Sequence, residues 1–314
     1  MTKRFFVAVL AMVALAAACG SDGSSGGDEP VGMPTEVVAA LGSRLVVLSS
    51  EDGSIVRTLV EGQAGITSAA VSRDGTTVYF TRRDPDVVCD QGGAFQIVTV
   101  PFEGGSPVIF ASGWHAVVSP DGERIAYATG GANQCGPLSQ LAVQELATDD
   151  FSQELFEGGD ATLVPLAWSP DSRRVLYSAQ LPEDVEAREV EPGTGAPPRA
   201  VPLPDGAYLP TYLGNADSLA VVDDDGEQSR MLEVDASTGE VQGTLFELEG
   251  RPAFRSNTAD RAGRHLLFTT QTGSSGGDNL SRWSDAARDP VILLETSNGD
   301  TAEDATWVPR ANGG

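Results

Sequence analysis

One short phrase recurs along this 314-residue chain at nearly constant intervals. It reads SRDGTTVYFT at 72–81, SPDGERIAYAT at 119–129 and SPDSRRVLYSA at 169–179. Degenerate copies follow in step, LGNADSLAVVD at 213–223 and DRAGRHLLFTT at 260–270, and a truncated TWVPR at 306–310 ends the series. Aligned on the serine of the phrase, the copies fall at 72, 119, 169, 213, 260 and 308, with steps of 47, 50, 44, 47 and 48. A self-similar period of this size means one supersecondary unit stacked on itself, so the repeat constrains the fold more than composition does.

Each unit reads as four short strands. In the second, HAVVS (115–119) runs into Pro120-Asp121-Gly122, then RIAYAT (124–129), LAVQEL (141–146) and a last strand near FSQELF (151–156). Gly, Pro and Asp punctuate these runs, because Asp accepts local backbone bonds and Gly permits positive φ. Asp74, Asp121 and Asp171 therefore read as turn residues rather than metal ligands, since identical register places each in its own unit. A lone four-stranded unit has two bare faces. Stacking units around an axis covers them, with Val78, Phe80, Ile125, Tyr127, Val175 and Tyr177 as expected contributors. Each such side chain stabilises by roughly 1.5–3 kcal/mol once buried.

Four strands in about 40–50 residues describe a propeller blade. Five full units start near 68, 115, 165, 209 and 256, and the sixth holds one strand, ATWVPR (305–310). Three strand-like runs precede the first phrase: EVVAAL (36–41), RLVVLS (44–49) and SIVRTLV (54–60). Residues 31–71 and 308–314 together make 48 residues, one period. The expected fold is all-β, a six-bladed β-propeller over 36–310 with a short tail at 311–314. Its last blade is built from both ends of the domain, which removes free sheet edges.

The phrase (A)W-S-P-D-(G/S)-x-x-(I/V)-x-(Y/F), clearest from Ala167 to Tyr177, resembles the PD-type relative of the WD repeat found in the TolB family of bacterial cell-envelope propellers. The resemblance covers roughly 36–310. Units four and five replace Pro-Asp by Gly214-Asn215 and Arg261-Ala262. TolB-family proteins also carry an N-terminal α/β domain that docks to partners, and residues 20–35 are too short for one. The resemblance implies a binding or scaffolding role at the envelope and is nearly silent about chemistry, because fold and function are separable.

Lys3 and Arg4 precede the apolar run FFVAVLAMVALAAA (5–18) and then Cys19. That order describes an export signal over residues 1–18, shorter than the roughly 20 residues a spanning helix needs. AAAC (16–19) resembles the lipobox of bacterial lipoproteins, with Ala16 where leucine is commoner. The resemblance implies a lipidated Cys19, followed over 19–35 by the Gly/Ser-rich tether GSDGSSGGDEP. Two or more acyl chains suffice for stable anchoring. The expected location is the outer face of the bacterial cytoplasmic membrane or another envelope membrane, and ordinary signal cleavage to a soluble chain is the rival.

Beyond the signal, 18 Lys+Arg face 45 Asp+Glu. So acidic a balance argues against nucleic acid and against anionic headgroups. Cys89 and Cys135 lie in equivalent long loops of adjacent units (82–94 and 130–139) and are expected to pair in an oxidising compartment. His115, beside Trp114 on an axis-facing strand, is the channel-lining candidate; His265 reads as a solvent-edge residue. The runs at 149–150, 223–226 and 300–304 read as solvated turns without calcium-loop spacing.

No G-x-S-x-G, H-E-x-x-H, P-loop or Rossmann fingerprint occurs in the chain. The expectation is a monomeric binding module with no catalytic residues, no metal and no cofactor, whose partner is an envelope protein or glycan. Its contact surface would be the two cysteine loops and the Pro/Gly-rich 182–198 segment. A propeller enzyme of lactonase or quinoprotein type is the alternative, predicting acidic or His side chains on inner strands that otherwise read as apolar. A ligand-sensing ectodomain is a third reading.

Overall fold

Among the described residues, twenty-four strands alternate with turns, and they sort into six antiparallel four-stranded sheets. The computed structural model describes residues 33–309 except 64, 90–92, 131–134, 148–152, 182–183, 225–227, 250–251, 273–276 and 297–300. The signal, Cys19 and the tether lie outside the described residues, as do Asp149-Asp150 and Asp225-Gly226.

The first sheet joins β1 (Glu36–Leu41), β2 (Arg44–Ser49) and β3 (Ile55–Val60) with β24 (Ala302–Trp307) as its innermost member. β4 (Ser68–Val71), β5 (Thr77–Arg83), β6 (Phe95–Pro101) and β7 (Val108–Ser112) make the next blade. β8 (Trp114–Val118), β9 (Arg124–Thr129), β10 (Gln140–Glu145) and β11 (Gln153–Glu157) follow. The fourth sheet holds β12 (Thr162–Trp168), β13 (Val175–Gln180), β14 (Val185–Val190) and the two-residue β15 (Arg199–Ala200). β16 (Tyr208–Tyr212), β17 (Ser218–Asp224), β18 (Ser229–Asp235) and β19 (Val241–Leu248) form the fifth. β20 (Ala253–Ala259), β21 (His265–Thr272), β22 (Gly277–Ser284) and β23 (Ala287–Glu295) complete the six.

Inner strands β24, β4, β8, β12, β16 and β20 each adjoin the next around a closed circle. The architecture is the six-bladed propeller expected from the period. Closure also follows the expectation, since Val37 pairs with Trp307, Val38 with Thr306 and Ala39 with Ala305. β24 starts three residues earlier than expected, at Ala302.

Six apolar clusters hold the disc together, one at every interface between blades. Val78 and Phe80 fill the junction of the first and second blades, Ile125 and Tyr127 the next, and Val175 and Tyr177 the one after. All six expected contributors are buried. Strand alternation explains this, because both faces of each blade meet a neighbour.

The phrase works as a turn and as a link. Asp74 Oδ1 accepts the backbone N–H of Thr76 at 3.0 Å and the Ser72 hydroxyl at 2.6 Å. Asp121 and Asp171 repeat the arrangement with Ser119 and Ser169, each at 2.5 Å. The hydrogen bond from Ser72 holds the Asp74 carboxyl below the usual carboxylate range. The phrase serine in turn accepts the N–H five residues on, as Ser119 does from Arg124 and Ser169 from Arg174, both at 2.9 Å. In the fifth unit Asp260 stands in for serine and accepts from His265 N at 3.0 Å.

Each turn also reaches the next one around the rim. Arg73 Nη1 donates to the Asp121 carbonyl at 3.0 Å, Asp121 N to Ser172 Oγ at 2.9 Å, and Arg174 Nη2 to the Ala216 carbonyl at 3.3 Å. Gly214 and Gly263 continue the circle. A Cβ on Gly263, whose φ is +64°, would stand 1.7 Å from the Gly214 nitrogen. Gly214, at the proline position of its copy, thus leaves room for a backbone approach that side chains would block.

His265 departs from its expected solvent-edge position. It is buried, its Nδ1 lies 2.8 Å from Asp260 Oδ2, and its ring meets Trp307 edge-on at 5.9 Å. Asp223 likewise is strand rather than solvated turn, with Arg230 bound to its Oδ2 across β17 and β18.

Candidate functional site

Residues four before each phrase position occupy the six inner strands at one level: Ser68, His115, Pro165, Leu209, Ser256 and Asp304. Five of those strands break register near this level, at Trp114/Val117, Pro165/Ala167, Tyr208/Thr211, Phe254/Ser256 and Ala40/Leu41 opposite β24. Such bulges re-aim side chains beside a site. His115 and Leu209 take left-handed φ values of 54° and 49°. Non-glycine residues in that region cost about 1–3 kcal/mol, strain that gathers at functional positions.

Four neighbouring blades supply a polar arc. His115 Nε2 lies 4.0 Å from Asp304 Oδ2, with side chains 18% and 12% exposed. The Asp304 carboxyl accepts N–H bonds from Ala305, at 2.9 Å, and from Ala69, and the Ser256 hydroxyl bonds to it as well. Thr269 Oγ1 sits 2.8 Å behind Ser256 Oγ. On the other flank His115 N donates to Thr81 Oγ1 at 3.0 Å, and Ser68 Oγ donates to that same oxygen at 2.8 Å. Pro165 and Leu209 hold the corresponding places on β12 and β16, and Leu209 packs against the apolar cluster between the fifth and sixth blades. Asn257 Nδ2 fixes the Leu209 bulge by donating to its carbonyl at 2.7 Å.

Burial sets the charge of the pair. It pushes the Asp304 carboxyl up to about 7, helped by Glu303 and opposed by the N–H of Ala305 and the Ser256 hydroxyl. Burial also pulls the His115 imidazole down to about 4. Between those values Asp304 holds its proton and the His115 imidazole is neutral. The Ser256 hydroxyl is bound to the carboxyl rather than to the imidazole, so the three do not form a serine–histidine relay. Among the described residues no three His, Cys, Asp or Glu side chains are grouped to hold a metal ion.

Asp304 is the residue that sequence reasoning missed. It sits at the end of an acidic run that reads as a solvated turn, and inner strands were expected to be apolar apart from His115. The signal was its phase, four before position 308, as His115 is four before Ser119.

The same end of the channel carries the cysteine loops. Trp114 pairs with Ala128 just before the 130–139 loop leaves β9, and Ser68 pairs with Thr81 near the end of β5. Cys89 and Cys135 are joined in a disulfide across these two blades, with Cα atoms 5.4 Å apart. Val88 beside it is almost fully exposed. The 182–198 segment does not form one contact loop. Its centre is β14, a third strand paired along β13, so residues on its two sides lie at opposite ends of the blade.

No protein-family model matches the chain, and no curated protein does either. Solved structures share the fold. TolB from Acinetobacter baumannii superposes with a TM-score of 0.64 at 15% identity, over 88% of this chain and 67% of that one. A protein of Agrobacterium tumefaciens provisionally named TolB gives 0.65 at 12% identity, over 89% and 96%. A chain of the nidogen/laminin complex gives 0.62 at 13%, over 87% and 98%. The chain therefore has a TolB-like six-bladed propeller fold, as the repeat phrase implied.

Proposed function

We propose that this chain is an exported, lipid-anchored propeller that binds another envelope protein through the end of the disc bearing the Cys89–Cys135 loops. The observation that carries the reading is the bracing of that end. The Cys89–Cys135 disulfide ties two loops of neighbouring blades over a ring already closed by β24, and loops positioned by a rigid scaffold are the usual carriers of binding. One relative of the same fold comes from a structure described as a nidogen/laminin complex, so such a disc serves in protein association elsewhere. Attachment through Cys19 would hold the disc at a membrane surface.

The test uses the full lipidated chain as bait in native membranes, with photo-crosslinkers at Val88 and Pro137 and controls at Ser237 and Thr238 on the opposite rim. A reproducible protein crosslinked from the first pair and not the second supports the reading. Crosslinks distributed equally, or none, overturn it. Intact mass of the mature chain decides the anchor, since diacyl or triacyl Cys19 is expected and an unmodified first residue would refute it.

A further inference from the structure

We infer that the axial mouth binds a primary ammonium group on an apolar stem, held between the carboxylate of Asp304 and the imidazole of His115. The two facing atoms are 4.0 Å apart, beyond direct hydrogen bonding, and come from blades separated by a third. The ionised carboxylate accepts, and the neutral imidazole accepts at Nε2 in its Nδ1–H tautomer. A nitrogen about 2.8 Å from each would bridge them with two of its three N–H donors. A transition-metal ion at roughly 2.0–2.1 Å from each would need the two ligands almost opposite one another, and no third ligand is grouped there among the described residues. Pro165 and Leu209 hold the corresponding sequence places on β12 and β16 and bring no polar side-chain group to compete. The chain's formal charge of −25 draws cations toward it.

The groups facing Asp304 are Glu303 from its own strand, His115 from β8, the Ser256 hydroxyl from β20 and the Ala69 N–H from β4. Arg255, the nearby cation on β20, is turned to Asp278 of its own blade at 3.3 Å. No cation on these strands competes with an entering ammonium. Binding ionises Asp304, so below its pKa of about 7 a proton must leave as the ligand enters. His115, held near 4, stays an acceptor throughout.

The ammonium could be a lysine side chain of a docked protein or a free alkylamine. The first source rests on the docking role proposed above, and the second does not. The experiment titrates the full chain with n-butylamine, n-butanol and tetramethylammonium by calorimetry from pH 5 to 8. Butylamine is expected to bind, about tenfold more tightly per pH unit up to pH 7 and evenly above, with one proton released at pH 6. Butanol lacks the charge and tetramethylammonium the donors, so neither should bind. Asp304→Asn should weaken butylamine at least tenfold, and His115→Gln severalfold if the first variant does not fold. Equal binding of tetramethylammonium, or full affinity in a folded Asp304→Asn chain, overturns the inference and leaves the docking role standing. A crosslinked partner retained undiminished by Asp304→Asn assigns the mouth to free amines; one lost assigns it to a lysine.

Discussion

The guanidinium carbon of Arg174 lies 5.6 Å from the ring centre of Tyr212, which belongs to the next blade around the disc. The relationship repeats in phase. Arg124 lies 4.9 Å over Trp168, and His265 meets Trp307 at 5.9 Å. In each case the residue five after the phrase position touches the residue just before the following one. The two arginine contacts join successive copies through a cation and an aromatic ring, worth about 0.5–2 kcal/mol apiece depending on desolvation, and the third joins them ring to ring.

At the Arg174–Tyr212 junction the carboxylate of Glu189 is buried and holds three partners. Arg174 Nη1 stands at 3.2 Å, the Tyr212 hydroxyl at 2.5 Å, and Arg199 completes the set. Glu189→Gln should lower stability by about 3–5 kcal/mol, since it strands buried charge. Arg173→Gln breaks an ion pair to Glu191 on an exposed side chain and should change it by about 0–1 kcal/mol. Paired denaturant melts check the contrast, and equal midpoints would refute it.

Gly263→Ala should destabilise by about 2–4 kcal/mol, adding a clash to the strain of a left-handed backbone. An added Cβ would stand 1.7 Å from the Gly214 nitrogen, and a methyl group has no rotamer by which to escape. Gly104→Ala, with positive φ but nothing within 4 Å, isolates the backbone share. Thermal unfolding of the two variants should rank them in that order.

The Cys89–Cys135 bond closes a separation of 46 residues. Chain entropy assigns such a closure about 4 kcal/mol, less any strain. The double Cys→Ser variant should lose stability of that order while keeping the propeller's far-ultraviolet spectrum. An unchanged melting midpoint would show that the loops are already fixed without it.

The Asp304–His115 pair predicts two opposite pH slopes that cancel in the intact protein. Asp304 is raised from 3.8 to about 7, so its favourable contribution is complete below pH 4 and lost as pH rises to 7. His115 is lowered from 6.5 to about 4, so its contribution is complete above pH 6.5 and lost as pH falls to 4. Folded and unfolded chains then bind one proton each through pH 4–6.5, and the wild-type contribution is flat. His115→Gln should uncover falling stability with rising pH, and Asp304→Asn falling stability with falling pH, each by up to about 1.4 kcal/mol per unit. Melts of both variants at pH 4.5, 5.5 and 6.5 read the signs directly.

The ring, its closing blade and its first core residues were legible because a repeat forces equivalent residues into equivalent places. Val78, Ile125 and Val175 had to face a neighbour once each unit was a sheet. Asp74, Asp121 and Asp171 were readable as turn residues for the same reason. The axial pair was harder. Bulges shift the inner strands by one residue, and no local pattern marks out Asp304 within its acidic run. His265 was misread because its partners are Asp260, a substitute for serine, and Trp307 from the blade completed by the last strand. Long-range partners of this kind leave no trace in local composition.

β24 is the innermost strand of the blade that begins the ring and the last to be synthesised of all twenty-four. Until it arrives, the inner ladder of β1 waits without a mate, and the hydrophobic seam between Leu267, Leu280 and Val37 has nothing to shut against from the axis side. A growing polypeptide of this design can lay down wedge after wedge, yet remains an open crescent until β24 is made. Closure comes in one step, and any chaperone that attends the chain must shield that gap until β24 is in place.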